Sequence, residues 1–340
     1  MGGKRLAARR QGVTLAEVAR LAAVSEITVS RILRNAGPAA ESTRERVLAA
    51  VRESGYVPNR LAGGLASSGS KLVGVIVPSL TNIVFPEVLG GIRSALVGTG
   101  FQAVIGVSDY DLLIEQELIA SLLAWRPEAM VLAGLDHTER ARTMLDQSGV
   151  RVAELMDIDS APIDLAVGHS HRQAGYDSAQ YLLKRGYRRF GYVGHDWTAD
   201  RRARLRFDGL VAALAEAGLS LIDSGRHEGP SSTQAGREQL AALLGRGPEL
   251  DVVVFSNDDM AVGGVFHCMG ARIRPKDDLA LFGFNGLDIG QALPTPLSTL
   301  RSNRFVTGQT AIEKLLGQRE RPSEKEIIDT GYQILPGATA

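Results

Sequence analysis

The chain has 340 residues, 44% apolar and 22% charged, which excludes a disordered or fibrous protein and is too long for one ordinary core, so two or three domains are expected. No run reaches the ~18–20 apolar residues of a membrane span, the start MGGKRLAARRQG lacks a hydrophobic signal core, and the single cysteine, Cys268, excludes an intramolecular disulfide framework; a cytoplasmic protein is expected. The net charge is zero but uneven: residues 1–60 hold eleven Lys or Arg against five Glu, a net +6, which leaves −6 for residues 61–340. A basic head on an acidic body is the asymmetry expected when only the head meets phosphate.

Residues 1–12 are basic and aperiodic and read as a loose arm. The stretch TLAEVARLAAVSEITVSRILRNAG, residues 14–37, reads as two short helices around a tight corner. Thr14 caps the first with Glu17 closing a capping box, and Ser25 caps the second. Val18, Leu21, Val29 and Ile32 or Leu33 point inward; Glu26, Ile27, Ser30 and Arg31 remain on the outer side, as in a helix-turn-helix whose second helix enters the DNA major groove. Two helices of an ordinary small bundle would show the same caps and periodicity, and the +6 head is what favours the DNA reading. A third helix is expected near 42–54, capped by Ser42 with Glu45 and stopped by Gly55. In YVPNRLAGGLASSGSK, residues 56–71, Gly63 and Gly64 each cost a short helix about 1 kcal/mol, so the segment reads as a joint that orders only with a partner.

From Lys71 onward short apolar runs alternate with amphipathic stretches. Strands are expected at 72–77, 101–107, 129–134, 151–155 and 165–168, and again at 188–194, 221–225, 251–256 and 279–284, with helices between them. This βαβ repetition predicts an α/β body of two Rossmann-like lobes with a cleft at the C-terminal ends of the strands. A helix near 305–316 and one closing strand at about 326–334 complete the chain.

No GxGxxG, HExxH or G-x-S-x-G pattern occurs where it would need to, and His169 and His171 alone are too few to hold a metal. Neither cofactor nor metal is expected, and two lobes without a catalytic constellation point to binding rather than turnover. By position, Ser79, Leu80, Thr81, Asn82 and Phe85 follow the first strand, Asp157 the fourth, Asn257 and Asp258 the run DVVVFS, and Asn285 the run LALFGF, while Arg204 and Arg206 begin a helix. Such places meet small ligands. Arg206 is as reasonably a surface charge on this ground alone.

VTLAEVARLAAVSEITVSRILRN followed by GYVPNRLAGGLA resembles the N-terminus of the LacI/GalR family of bacterial repressors; VGVIVPSLTNIVFPEVLGGI, VAELMD, FSNDDMAVGG and GFNGLDIGQ extend the likeness to its gluconate-utilisation branch, whose members answer to gluconate or 2-ketogluconate. The resemblance implies a helix-turn-helix headpiece at 1–57, a hinge helix or linker at 58–70, and a periplasmic-binding-protein-like body at 71–340 that binds effector and dimerises. Its first lobe is expected at about 71–165 and 286–300 and its second at about 166–285 and 301–340, with three crossovers near 162–170 and 285–305. It implies DNA contacts at Thr14, Ser25, Glu26, Ile27, Thr28, Ser30, Arg31 and Asn35, with Asn59 starting the hinge helix and Leu65 entering the minor groove. For the effector it implies Ser79, Thr81, Asn82, Phe85, Arg204, Arg206, Asn257 and Asn285, with Asp157 and Ser302 nearby. The partners implied are a palindromic operator, a sugar acid and a second copy of the chain, joined through helix 86–98 and the helix after 111. The glycine pair at 63–64 departs from the commoner charged or bulky residues there, and Asn285 stands where many neutral-sugar members carry aspartate. The competing readings are a solute-binding or sensory module without a DNA role, and a sugar-acid enzyme.

Overall fold

The computed structural model describes residues 13–33, 37–57, 70–198, 200–318 and 320–340, so Asn35, Asn59, Leu65 and the glycine pair lie outside the described residues. The chain divides into two units, residues 1–70 and residues 71–340.

The first unit holds α1 (Leu15–Leu21), α2 (Glu26–Leu33) and α3 (Glu41–Ser54). Thr14 and Glu17 form the reciprocal box: the Glu17 amide donates to Thr14 Oγ1 at 3.3 Å and the Thr14 amide to Glu17 Oε2 at 2.8 Å. Ser25 Oγ accepts from the Thr28 amide at 3.2 Å at the head of α2. The shared core is Val18, Ala19, Ala22, Val29, Ile32, Val47 and Ala50. Leu21, expected inside, is 47% exposed, because the buried stripe of α1 follows 18, 19 and 22. Ser42 does not cap α3: the helix begins one residue earlier, after Ala40, without a side-chain cap. Gly55 ends it at φ +67°, a conformation that costs glycine nothing.

In the second unit the first lobe is a six-stranded parallel sheet of order β11-β5-β4-β3-β1-β2. Its strands are β1 (Leu72–Val77), β2 (Gln102–Val107), β3 (Ala129–Ala133), β4 (Arg151–Leu155), β5 (Leu165–Gly168) and β11 (Glu326–Asp329), and its helices are α4 (Val84–Leu96), α5 (Leu112–Ala124), α6 (Glu139–Ser148) and α12 (Arg304–Gly317). The second lobe is a parallel sheet of order β7-β6-β8-β9. It comprises β6 (Phe190–Gly194), β7 (Leu221–Arg226), β8 (Val252–Phe255) and β9 (Ala280–Phe282), with α7 (His171–Lys184), α8 (Arg201–Glu216), α9 (Thr233–Gly245), α10 (Asp258–Ala271) and α11 (Asp288–Gln291). Strands such as LVGVIV and VVVF are buried on both faces, which is why they read as unbroken apolar runs rather than as alternation.

The expected lobe membership of the C-terminal segments is corrected. Leu293 and Leu297 pack in the second-lobe core, whereas Ala311, Ile312 and Leu315 of α12 pack in the first, and β11 adds to the first sheet beside β5. Residues 288–297 therefore belong to the second lobe and 304–329 to the first. The single closing strand expected at 326–334 is two: Gly331, at φ +69°, breaks it, and β12 (Tyr332–Leu335) pairs antiparallel with β10 (Thr299–Ser302) instead. The chain crosses between lobes at 168–171, 302–304 and 329–332.

The helix pair α7 and α8 is in backbone contact. A Cβ at Gly175 would meet the Arg206 carbonyl at 1.9 Å, and one at Gly209 the Arg172 carbonyl at 1.9 Å, so the two glycines set both the spacing and the rotation of α8.

Candidate functional site

A cavity of about 700 Å³ opens between the lobes at the C-terminal ends of their strands, where doubly wound sheets receive ligands. From the first lobe, the turn after β1 presents Ser79, Thr81 and Asn82. Ser79 Oγ accepts from the amides of Thr81 and Asn82, both at 3.1 Å, and Asn82 Nδ2 donates to the Tyr110 hydroxyl at 2.8 Å, tying that turn to the one after β2.

The opposite wall is built around Arg206. One guanidinium nitrogen, Nη1, donates to His171 Nδ1 at 3.1 Å and the other, Nη2, to the Ser256 carbonyl at 2.9 Å, while the plane lies 4.2 Å from the centre of the Phe284 ring. Its Nε–H has no partner among the described residues. His171 Nε2 lies 2.7 Å from the Met156 carbonyl, so the hydrogen-bond pattern assigns the proton to Nε2 and leaves Nδ1 as the acceptor. Burial first, then the neighbouring His169, Arg206 and Arg202, hold His171 well below the usual histidine range, and it is neutral. Burial lowers the pKa of Arg206 as well. Asp200 is committed elsewhere: it caps α8 through the Ala203 amide at 3.1 Å and lies 3.3 Å from His195 Nε2 and 3.7 Å from Arg202 Nε. Burial opposes its ionisation, but the His195 hydrogen bond and the charges of Arg202 and Arg206 hold it far below the usual carboxylate range.

Asn257 and Asn285 both reach the cavity. Asn257 Oδ1 accepts from the Met260 amide at 3.1 Å and so caps α10. Asn285 sits at φ +123°, which side chains rarely adopt. Its amide donates to the Leu300 carbonyl at 2.8 Å, and its carbonyl accepts from the guanidinium of Arg304, a 1% exposed residue paired with Glu87 at 2.7 Å.

Of the residues expected around an effector, Ser79, Thr81, Asn82, Arg206, Asn257 and Asn285 line the cavity. Arg204 does not; it is on the exposed side of α8, and Arg202, one turn before Arg206, takes the inward place. Phe85 is fully buried in the first-lobe core, and Ser302 is buried off the cavity. Asp157 faces a smaller side cavity, where it accepts from Arg201 Nη1 at 3.1 Å; burial raises its pKa to about 6. Asp258 turns inward, accepting from Thr299 Oγ1 at 2.6 Å and the Leu287 amide at 2.7 Å. Missed in the sequence were Arg202, Tyr110, His195 and Asp259, which also line the cavity. The spacing of Arg202 and Arg206 in DRRARLRF carried a signal for the first; no local pattern marked the others.

On the headpiece, Ser25, Glu26, Ile27 and Arg31 are exposed, Ile27 at 79%, and Thr28 and Ser30 are half-buried beside them; Thr14 is exposed at the head of α1. Among the described residues no group of three or more His, Cys, Asp or Glu is placed to hold a metal ion, and no helix is long and apolar enough to cross a membrane.

Residues 70–332 match the family pattern of periplasmic binding proteins and the sugar binding domain of the LacI family, and residues 14–59 that of bacterial regulatory proteins of the lacI family. The HTH-type transcriptional regulator GntR of Pseudomonas aeruginosa is 38% identical over 329 residues, 95% of this chain and 94% of that protein. GntR of Escherichia coli (strain K12) is 34% identical over 332 residues, 97% and 99% of the two chains. A crystal structure of a LacI-family transcriptional regulator from Silicibacter pomeroyi is similar with a TM-score of 0.91 at 44% identity, covering 96% of this chain and 99% of that one. With headpiece and body matched in this order along nearly the whole length, the chain belongs to the LacI family and is a DNA-binding transcriptional regulator.

Proposed function

We propose that the protein is a homodimeric repressor of sugar-acid utilisation genes, which reads a palindromic operator through its headpiece and binds gluconate or 2-ketogluconate between its lobes. The observation that carries the effector class is Arg206, a guanidinium in the cavity wall whose hydrogen-bond acceptors, an imidazole and a peptide carbonyl, are both neutral, so that no carboxylate of the described residues bonds to it directly. A desolvated cation gains most from an anion that joins it, and the planar fork of arginine matches a carboxylate. Arg202 adds a second positive charge at the cavity, and Asn285 offers an amide where a carboxylate would repel the acid.

In this reading Glu26, Ile27 and Arg31 face base edges, with Thr14, Ser25, Thr28 and Ser30 nearer the backbone; Asn35, Asn59 and Leu65 keep the roles that the family resemblance implies. One headpiece reads a half-site, so two copies are needed for a palindrome. Val97 (74% exposed) just after α4 and Leu113 (64% exposed) on α5 supply apolar surface for the first-lobe dimer contact. Calorimetric titration of the full chain with gluconate, 2-ketogluconate and neutral glucitol tests the effector. Arg206→Met should abolish acid binding while the protein still folds; acid binding undiminished in that variant would reject the assignment.

A further inference from the structure

Asp259 gives the cavity a second electrostatic character. It lies in the first turn of α10, half-buried on the cavity wall, and its carboxylate makes no hydrogen bond or ion pair to any described residue. Burial alone acts on its ionisation, raising its pKa, with no cation to reverse the shift. The other cavity carboxylates differ: Asp200 is held by His195 and Arg202, Asp196 accepts from the Thr198 amide and hydroxyl at 3.0 and 2.6 Å, and Asp109 is exposed to solvent. The charge of Asp259 is felt by Tyr110 of the first lobe, and the Tyr110 hydroxyl, which accepts from Asn82, keeps its own proton available to donate. Tyr110 feels Arg202 as well as Asp259, whereas the carboxylates that act most on Arg206 are Asp200 and Asp157.

We propose that Asp259 is a specificity-determining residue: it accepts hydrogen bonds from the hydroxyls of a bound ligand and turns away a second anion, so that the effector is a monoanionic, unphosphorylated polyhydroxy acid with its carboxylate on Arg206. This rests on the sugar-acid reading above and adds the residue that discriminates against phosphate esters. Hydroxyl donors relieve the desolvation of a half-buried carboxylate through charge-assisted hydrogen bonds. A phosphate ester instead brings about −1.5 to −2 further charge against it, in a cleft where like charges are poorly screened. The regulator thus senses the acid before, rather than after, any kinase has phosphorylated it.

The test is calorimetric titration of the full-length protein and of Asp259→Asn with gluconate, 6-phosphogluconate and glucitol. The unaltered protein should bind gluconate about a hundredfold more tightly than 6-phosphogluconate, and Asp259→Asn should shrink that ratio about tenfold, chiefly by gain for the phosphate ester. Asp259→Ser removes the charge with a different shape and should move the ratio the same way; thermal unfolding without ligand checks that both variants fold. An unchanged ratio in the two folded variants, or equal binding of both acids by the unaltered protein, overturns the proposal. Glucitol binding as well as gluconate, or binding of neither gluconate nor 2-ketogluconate, overturns the sugar-acid reading itself and this inference with it.

Discussion

His137, in the loop before α6, is held between two buried carboxylates, with Nδ1 2.6 Å from Glu115 Oε1 and Nε2 3.2 Å from Glu154 Oε1. The side chains of His137 and Glu154 are 0% exposed and that of Glu115 is 7% exposed. Burial alone would keep the imidazole neutral, but the two hydrogen bonds and the two negative charges outweigh it and raise the pKa from 6.5 to about 9. The folded state therefore binds more protons than the unfolded state between those values. The stability contributed is complete below pH 6.5 and is lost as pH rises through about 9. A displacement of that size corresponds to about 3 kcal/mol as an upper figure. Urea unfolding of the full chain between about pH 6.5 and 9.5 should show this loss in the transition of the body, which contains the triad. Other groups titrate at the edges of this window: His169 and His171, lowered in the fold, ionise near 6.5 once unfolded and so add stability as pH rises through that value, and Cys268, raised by burial to about 11, ionises near 9.0 once unfolded, so the part that belongs to His137 is the difference between this profile and that of His137→Gln. In His137→Gln the carboxylates lose their cation, so stability at pH 6.5 should fall by several kcal/mol, about 3–5 for a broken buried pair, and the alkaline slope should flatten. Parallel pH profiles for the two proteins would show that His137 is neutral in the fold and that the reasoning is wrong.

Arg31→Ala should cost about 1–3 kcal/mol on a specific palindrome and much less on random DNA; equal losses in a gel-shift titration would make Arg31 a backbone contact. Gly209→Ala would put a methyl 1.9 Å from the Arg172 carbonyl, so thermal unfolding should drop by about 1–3 kcal/mol or more, and acid affinity should fall as α8 shifts; an unchanged melting temperature would refute the close packing. Asn285→Asp should weaken gluconate about tenfold and glucitol much less, since two like charges about 5 Å apart repel by roughly 3 kcal/mol before screening. Equal losses for both ligands would mean that Asn285 matters for its φ of +123° rather than its missing charge.

The two sheets were legible because parallel strands covered on both faces must be continuously apolar, and LVGVIV, AMVLA and VVVF satisfy this without reference to anything distant. The C-terminal segment was not. In EIIDTGYQIL the apolar residues run across Gly331 with little interruption, and the sequence favours one strand. The break depends on partners more than 25 residues away: β5 offers its edge to residues 326–329 while β10 offers its own to 332–335. The same competition for partners decides that α12 covers the first lobe, by way of Ala311 and Ile312, although it follows a long stretch of second-lobe chain.

The cavity shows the same division between local and distant causes. A residue at the C-terminal end of a parallel strand faces the cleft by topology, so Ser79, Thr81, Asn257 and Asn285 could be nominated from strand positions alone. Helix α8 is different, because which of its arginines points inward is a matter of rotation. At about 100° per residue, Arg202 and Arg206 lie about 40° apart and Arg204 lies nearly opposite both. That rotation is fixed by the approach of Gly209 to Arg172 and of Gly175 to Arg206, contacts between α7 and α8 that the spelling of DRRARLRF does not contain. Charge type is equally silent about partnership. Asp157 and Asp259 each follow a strand of their lobe by a few residues, yet Asp157 meets Arg201, which also donates to Ser160 at 2.7 Å, and so joins the lobes. Asp259 meets no cation among the described residues and, in the role proposed for it, keeps its charge for whatever enters the cavity. One carboxylate is consumed in holding the protein together and the other remains available to discriminate among ligands, and the difference between them is the reach of a single arginine at the head of α8.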